Sequence, residues 1–241
     1  MIYQTNAIFL HSIKYSETSL IIKVYTELYG VKSYLLKGAY RKKSLFKANT
    51  LQPMCNLNIV AYTNNKSQLH TVKEISSINL FSKSYSNIYK SSILFFLNEM
   101  IYNCVREGEL NTDLYAYIKD SLFQLEEMEE NYFNFHLVFL LELCAFLGIQ
   151  PQNNYNANNR FFNIQEGYFD NMIKPGNTIS NENINKVFSK LLNINLKTLS
   201  YVDISSSERR ELIILLIHYY KSHISGFKEV KSHKILETIL S

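Results

Sequence analysis

The chain has 241 residues, 46% of them apolar and 19% charged, with a formal net charge of +4, a composition that lets an ordinary folded protein bury at least one good core. Apolar runs such as Ile93–Leu97 and Ile213–Ile217 stop at five residues, far short of the roughly 20 a membrane-spanning helix needs, so no membrane partner is expected. The charge is uneven: residues 1–80 carry ten Lys or Arg against three acids, a balance of +7, whereas the other 161 carry fifteen against eighteen, or −3. A basic front on a slightly acidic back points to a polyanion partner for the front and suggests one small and one larger domain, 1–80 and 81–241.

From residue 5 to about 78 the hydrophobic period is two. Apolar and polar residues alternate in Leu20–Thr26, Val31–Lys37, Leu57–Tyr62 and Leu69–Ile75, with β-branched and aromatic side chains dominant. With Asn6–Ile13 these make five strands, joined by turn signals at Tyr29-Gly30 and Thr63-Asn-Asn-Lys-Ser67. Five short antiparallel strands in this length fit a Greek-key barrel of the OB type, and an SH3-like barrel has nearly the same signature.

Near Phe81 the period changes. Ile93, Leu97, Met100, Ile101 and Cys104 share one helical face, which predicts a helix over 84–106 ended by Gly108. A second helix, about 111–129, runs into Glu126-Glu-Met-Glu-Glu130, an acidic group expected to be a solvated helix end. A third carries Leu137, Leu140, Leu141, Cys144 and Leu147 on one stripe before Gly148 and Pro151 stop it. Gln152–Asn159 is Asn-rich and reads as an exposed loop, and residues 161–169 read as a short hairpin, so 152–172 forms an irregular insertion. Two helices follow, about 181–193 and 207–223, the latter opened by a Ser205/Glu208 capping box. A last short helix over 232–240 closes the domain with Ile235, Leu236, Ile239 and Leu240. The fold class is therefore α+β: an N-terminal five-stranded barrel followed by an all-α helical bundle.

Catalytic and metal patterns are missing from the sequence. No glycine fingerprint for phosphates and no G-x-S-x-G elbow occurs, and His218 and His223 are five apart rather than the four of a helical metal pair. His136 heads an apolar helix face and reads as a satisfied core or boundary histidine rather than a catalyst. Cys55, Cys104 and Cys144 fit neither a disulfide framework nor a C-x-x-C site and read as buried, inert thiols. An enzyme is thus the weaker class, and neither cofactor nor metal is expected. The N-terminus shows no basic leader followed by an apolar run and small-residue cleavage site, which makes the cytoplasm the expected compartment.

The informative segment is Lys37-Gly-Ala-Tyr-Arg-Lys-Lys-Ser-Leu-Phe-Lys47. Lys37, Arg41, Lys42, Lys43 and Lys47 interleave there with Tyr40 and Phe46, at the end of the third expected strand and in the connection after it. Cations neutralise phosphates, Arg41 can fork onto one, and the two rings either stack on bases or pack on the barrel. Lys14 and Lys23 are added from charge alone.

The order and spacing of Thr5-Asn-Ala-Ile-Phe-Leu10, Tyr15-Ser-Glu-Thr18, Tyr25-Thr-Glu-Leu-Tyr-Gly30, Lys37–Ser44 and Leu51-Gln-Pro53 resemble the N-terminal domain of the bacterial recombination mediator family RecO. Phe146-Leu-Gly-Ile-Gln-Pro151 and His223–Ser232 resemble that family's helix end and closing segment, so the resemblance spans nearly the whole chain. It implies an OB-fold domain and a helical domain without catalytic turnover. It further implies binding of single- and double-stranded DNA, strand annealing, contact with the C-terminal tail of single-stranded DNA-binding protein, and joint action with RecR to load RecA in repair, in the nucleoid-associated cytoplasm. DNA contact carries over by motif to Lys37, Arg41, Lys42 and Lys43. Several family members hold zinc through four cysteines after the Gly-Ile-x-Pro turn, but residues 153–172 contain no cysteine, so zinc is not expected and the insertion is either held by packing, with Tyr155, Phe161, Phe162 and Phe169 as candidates, or partly mobile. Two rival readings are a protein-interaction scaffold whose basic loop only solubilises it and an RNA-binding barrel.

Overall fold

The computed structural model describes residues 2–41, 46, 48–63, 69–78, 81–201 and 203–240. Two compact units share the chain: Met1–Asn87 with Leu97–Glu126, and Ile88–Phe96 with Glu127–Ser241.

In the first unit the period-two segments form β1 (Ile2–Lys14), β2 (Leu20–Thr26), β3 (Gly30–Leu36), β4 (Asn56–Tyr62) and β5 (Leu69–Ser77). They close in the order β1-β2-β3-β5-β4. All pairs are antiparallel except β3 with β5, which run parallel with Tyr34 opposite His70. That parallel closure gives the OB-type barrel and decides between the two small barrels left open by the strand pattern. Alternate residues point inward, among them Ile22, Val24, Tyr34, Leu57 and Ile59, all fully buried. Each such side chain contributes about 1.5–3 kcal/mol on leaving water. Of the expected turn at 63–67, residues 64–67 lie outside the described residues.

The β2–β3 hairpin needs Gly30. Its φ is +62°, and a Cβ there would stand 2.1 Å from the Glu109 carbonyl oxygen. Residues 97–126 lie over the outer side of β1 and β2. The Asn98 amide donates to the Leu10 carbonyl at 2.8 Å, the Tyr25 hydroxyl to the Asn111 carbonyl at 3.0 Å, and Lys23 pairs with Glu107 at 3.3 Å.

The helix expected over 84–106 is two helices, α1 (Ser82–Ser86) and α2 (Ile88–Cys104), because Asn87 is extended (φ −93°, ψ 118°) and breaks the ladder. α3 follows at Thr112–Glu127. Glu126 corrects the expectation of a solvated acidic end. It is buried, and its two carboxylate oxygens accept the Lys83 and Ser84 amides at 2.9 and 2.8 Å, satisfying donors that the first turn of α1 leaves open.

The second unit contains α4 (Phe135–Phe146), the hairpin β6 (Phe161–Asn163) and β7 (Tyr168–Asp170), α5 (Glu182–Leu191), α6 (Ser206–His223) and α7 (His233–Ile239). α4 is buried on all sides rather than along one stripe. The capping box forms at α6, with the Ser205 amide donating to Glu208 at 2.9 Å and the Glu208 amide donating to Ser205 Oγ. In the insertion, Phe162 meets Phe169, Phe188 and Tyr219 with ring centroids 4.7–5.8 Å apart, and Tyr155 lies edge-on to Phe169. The Asn-rich loop is organised by its asparagines: Asn154 both donates to and accepts from the Phe169 backbone, and Asn185 accepts the Phe162 amide. Leu236 in α7 and Leu240 just after it are buried but Ile235 is 51% exposed, so Ile235 does not close the core as expected.

The three cysteines are buried, and burial pushes the Cys55 and Cys144 thiols up to about 12. Among the described residues no helix is long and apolar enough to cross a membrane, and no group of three or more His, Cys, Asp or Glu is placed to hold a metal ion.

His136 is a core residue, as expected, but not a satisfied one. It is fully buried, lies edge-on to Phe96 at 5.9 Å, and neither ring nitrogen has a hydrogen-bond partner among the described residues. Burial, aided by the Arg209 charge, lowers its pKa from 6.5 to about 3. The folded state thus binds fewer protons than the unfolded state below pH 6.5, and stability falls as pH drops from there toward 3. The loss at pH 5 is about 2 kcal/mol relative to pH 7. A His136→Leu variant, followed by denaturant melts at pH 7 and pH 5, is expected to lose this contribution and to be the more stable protein at both values. An unchanged pH dependence would contradict the assignment.

Candidate nucleic-acid interface

The cationic segment starts where β3 ends. Leu36 is inside the barrel and Lys37 turns out to solvent. Gly38 then adopts φ +74°, which costs glycine nothing and turns the chain back. The loop is pinned by three backbone hydrogen bonds: Tyr40 donates to Thr18 at 3.3 Å, Arg41 to Gly38 at 3.0 Å and Ala48 to Ala39 at 3.3 Å. Arg41 lies over Gly38, so close that a Cβ on the glycine would be 3.4 Å from Arg41 Cδ.

Between this loop and the outer face of β1, β4 and β5 runs a groove of about 750 Å³. Lys37, Arg41 and Phe46 line it from the loop, Gln4 from β1, Asn58 and Val60 from β4, and Lys73, Glu74 and Ser76 from β5. Strand register explains the floor: Gln4, Val60 and Glu74 form one cross-strand row, and Asn6, Asn58 and Ser76 the next. The pairing slips between Val60 and Ala61, so that Val60 faces Glu74 while Ala61 faces Val72, and Lys73 is the extra residue of a β-bulge. Bulges re-aim side chains, and this one sets a third cation on the groove. Lys73 pairs with Glu74 at 3.2 Å, but both are exposed, and such a pair yields readily to a competing anion.

Of the residues expected from the sequence, the groove unites Lys37, Arg41 and Phe46. Lys37 and Arg41 are exposed and have no ion-pair partner among the described residues. Lys42, Lys43 and Lys47 lie outside the described residues. Lys14 is exposed at the same end of the barrel, opposite Leu20, which is opposite Leu36. Lys23 is elsewhere: it is paired with Glu107 and lies 5.4 Å over the Tyr102 ring, so its charge already has a use within the fold. Tyr40 is 50% exposed, an open stacking surface, whereas Phe46 is half-buried against the barrel core. Lys73, Gln4 and Asn58 were missed by sequence reading. Nothing in the local pattern marks them, and only closure of β5 onto β4 and β4 onto β1 brings them to the loop.

With three cations against one carboxylate and Val60 and Phe46 among the polar groups of the floor, the groove can hold an anionic polymer that also carries flat apolar groups. The family model described as "Recombination protein O N terminal" matches residues 1–81, and "Recombination protein O C terminal" matches residues 85–233. The chain is 34% identical over 241 residues to the DNA repair protein RecO of Flavobacterium psychrophilum, covering 99% of each chain. It is 31% identical over 243 residues to that of Phocaeicola vulgatus, covering 100% of each, and 31% identical over 246 residues to that of Porphyromonas gingivalis, covering 99% of each.

Proposed function

The chain belongs to the RecO family, and from that premise we propose that it is a non-catalytic DNA repair and recombination mediator whose barrel binds DNA and whose helical part binds protein partners. In this reading residues 1–80 bind single- and double-stranded DNA and bring complementary strands together. Residues 81–241 engage the C-terminal tail of single-stranded DNA-binding protein, and with RecR the protein helps load RecA. The observation that carries the reading is the barrel groove, where Lys37, Arg41 and Lys73 rim a floor of mixed apolar and amide groups. DNA contact is assigned to Lys37, Arg41, Lys42 and Lys43, with Lys47 and Lys14 as weaker additions and Tyr40 and Phe46 as base-contacting rings, while Lys23, paired with Glu107, is left out. Neutralising phosphates releases counterions, which makes such binding strong at low salt and blind to sequence.

Support for the peptide partner comes from a smaller groove of about 280 Å³ in the second unit. Ile214, Ile217, Phe227 and Val230 form its apolar lining, with Lys221, Lys228 and Lys234 and the histidines 218 and 233 around them and Glu229 the one acid. That chemistry suits an acidic tail ending in an apolar side chain. The test uses purified full-length chain with single-stranded DNA-binding protein, intact or lacking its C-terminal tail. Binding of the intact protein and at least about tenfold weaker binding of the truncated one are expected, a loss of about 1.4 kcal/mol or more. Equal binding of both would contradict the partner assignment while leaving DNA binding untouched.

A further inference from the structure

The barrel groove has two chemically different parts. Its rim is cationic, and its floor carries uncharged groups, Val60, Phe46 and the amide of Gln4, beside Glu74, whose carboxylate is paired with Lys73 at 3.2 Å. The amide is oriented by a relay of hydrogen bonds. Gln4 donates to Asn58 Oδ1 at 2.7 Å, Asn58 to Asn6 Oδ1 at 3.0 Å, and Asn6 to Glu27 Oε2 at 2.9 Å. An ionised carboxylate only accepts, so Glu27 forces each amide in the row to donate toward it and to turn its oxygen the other way. At the end of the row Gln4, which lines the groove and is paired across the strands with Val60, spends its N–H on Asn58 and keeps its Oε1 as an acceptor.

A duplex cannot use such a floor. Its bases are stacked inside, their Watson–Crick donors are spent on each other, and it presents phosphates to a protein. An unpaired strand presents flat base faces and unspent donors such as the imino N–H of thymine. We propose that this groove takes the bases of single-stranded DNA on Val60, Phe46 and Gln4 while Lys37, Arg41 and Lys73 hold its phosphates, and that duplex DNA meets only the loop cations at the rim. The proposal rests on the DNA-binding reading above and adds to it a basis for telling one DNA form from the other. Val60, Phe46 and Gln4 act through contacts that carry no charge. Their contribution is therefore independent of salt, whereas that of Lys73 is not.

The test is fluorescence anisotropy of the full-length chain with a labelled oligothymidine and with a blunt duplex of equal length, across a salt series. A Gln4→Ala/Val60→Ser double variant should bind oligothymidine about fivefold or more weakly with an unchanged salt slope, and the duplex within about twofold of the parent chain. Lys73→Ala, at an exposed bulge position, should lower the oligothymidine slope by about 0.7 and leave the duplex slope as it was. Should the double variant melt early, Lys73→Ala decides alone. Equal losses for both DNAs, or no loss for the single strand, would overturn the groove assignment and leave DNA binding by the loop standing. Absence of binding to either DNA by the unaltered chain would overturn the DNA reading and this proposal with it.

Discussion

Simultaneous replacement of Arg41, Lys42 and Lys43 by alanine is expected to weaken binding of a single-stranded oligonucleotide about a hundredfold at 0.1 M salt and to reduce the slope of log K against log salt by about 2. The estimate assumes that each cation neutralises one phosphate. Each such contact contributes about 0.7 to the slope on a single strand, and three contacts compound to about two decades between 1 M and 0.1 M salt. The fold should not notice. Arg41 is exposed, and only its backbone N–H, which alanine keeps, is used to hold the loop to Gly38. An unchanged melting temperature with a lowered slope is therefore the expected pair of results. A lowered affinity with an unchanged slope would show that the loop acts by shape or packing and not by phosphate neutralisation.

Arg209 should be as sensitive in the other unit, through stability rather than binding. Its guanidinium is buried and reaches three neutral acceptors: Asn134 Oδ1 at 2.9 Å, the Leu240 carbonyl at 3.0 Å and the Ile204 carbonyl at 3.2 Å. It also lies 5.9 Å from the Phe133 ring. A single side chain thus joins the entry to α4, the approach to α6 and the residue that ends α7. Methionine at 209 would fill much of the space but remove the donors that now reach Asn134 Oδ1 and the Leu240 and Ile204 carbonyls. Each lost hydrogen bond to a buried acceptor costs about 1–3 kcal/mol, offset in part because a buried cation is no longer desolvated, so a net loss of about 3 kcal/mol is expected. For a chain of this size that is a fall in melting temperature of roughly 6–12 °C. Lysine should rescue little, since an ammonium cannot span three acceptors arranged for a planar fork. A change below about 0.5 kcal/mol in either variant would mean that the network is not retained in solution.

Arg209 also marks the limit of what the sequence discloses. The barrel strands were legible because one face of each is buried and the other wet, which writes a period of two into Leu20–Thr26 and Leu57–Tyr62. The Ser205/Glu208 cap was legible because its chemistry is local. Burial of polar groups is not local. Nothing around Glu126 distinguishes it from Glu127, yet Glu126 alone is drawn under α1 to receive two amides. Likewise the extended backbone of Asn87 breaks a helix that the apolar spacing of Ile93, Leu97 and Met100 supports without interruption. Ile235 has the composition of a core residue and faces out.

The candidate site divides in the same way. The loop half was conspicuous, since five cations within eleven residues stand out in any composition. The sheet half was not, since Gln4, Asn58, Val60 and Lys73 come from three strands and meet only through register and a bulge. Lys23 shows the converse: a basic residue in the front that the fold turns to its own account by pairing it with Glu107.

The measurement that bears most directly on the central claim is the affinity of the unaltered full-length chain for an unstructured, labelled DNA oligonucleotide at several salt concentrations. The account predicts tight binding at low salt, with log K falling linearly against log salt at a slope of at least about −2, set by Lys37, Arg41 and the neighbouring lysines. Binding that does not respond to salt, or none at low salt, would contradict it and favour a protein-interaction scaffold whose basic loop serves only solubility.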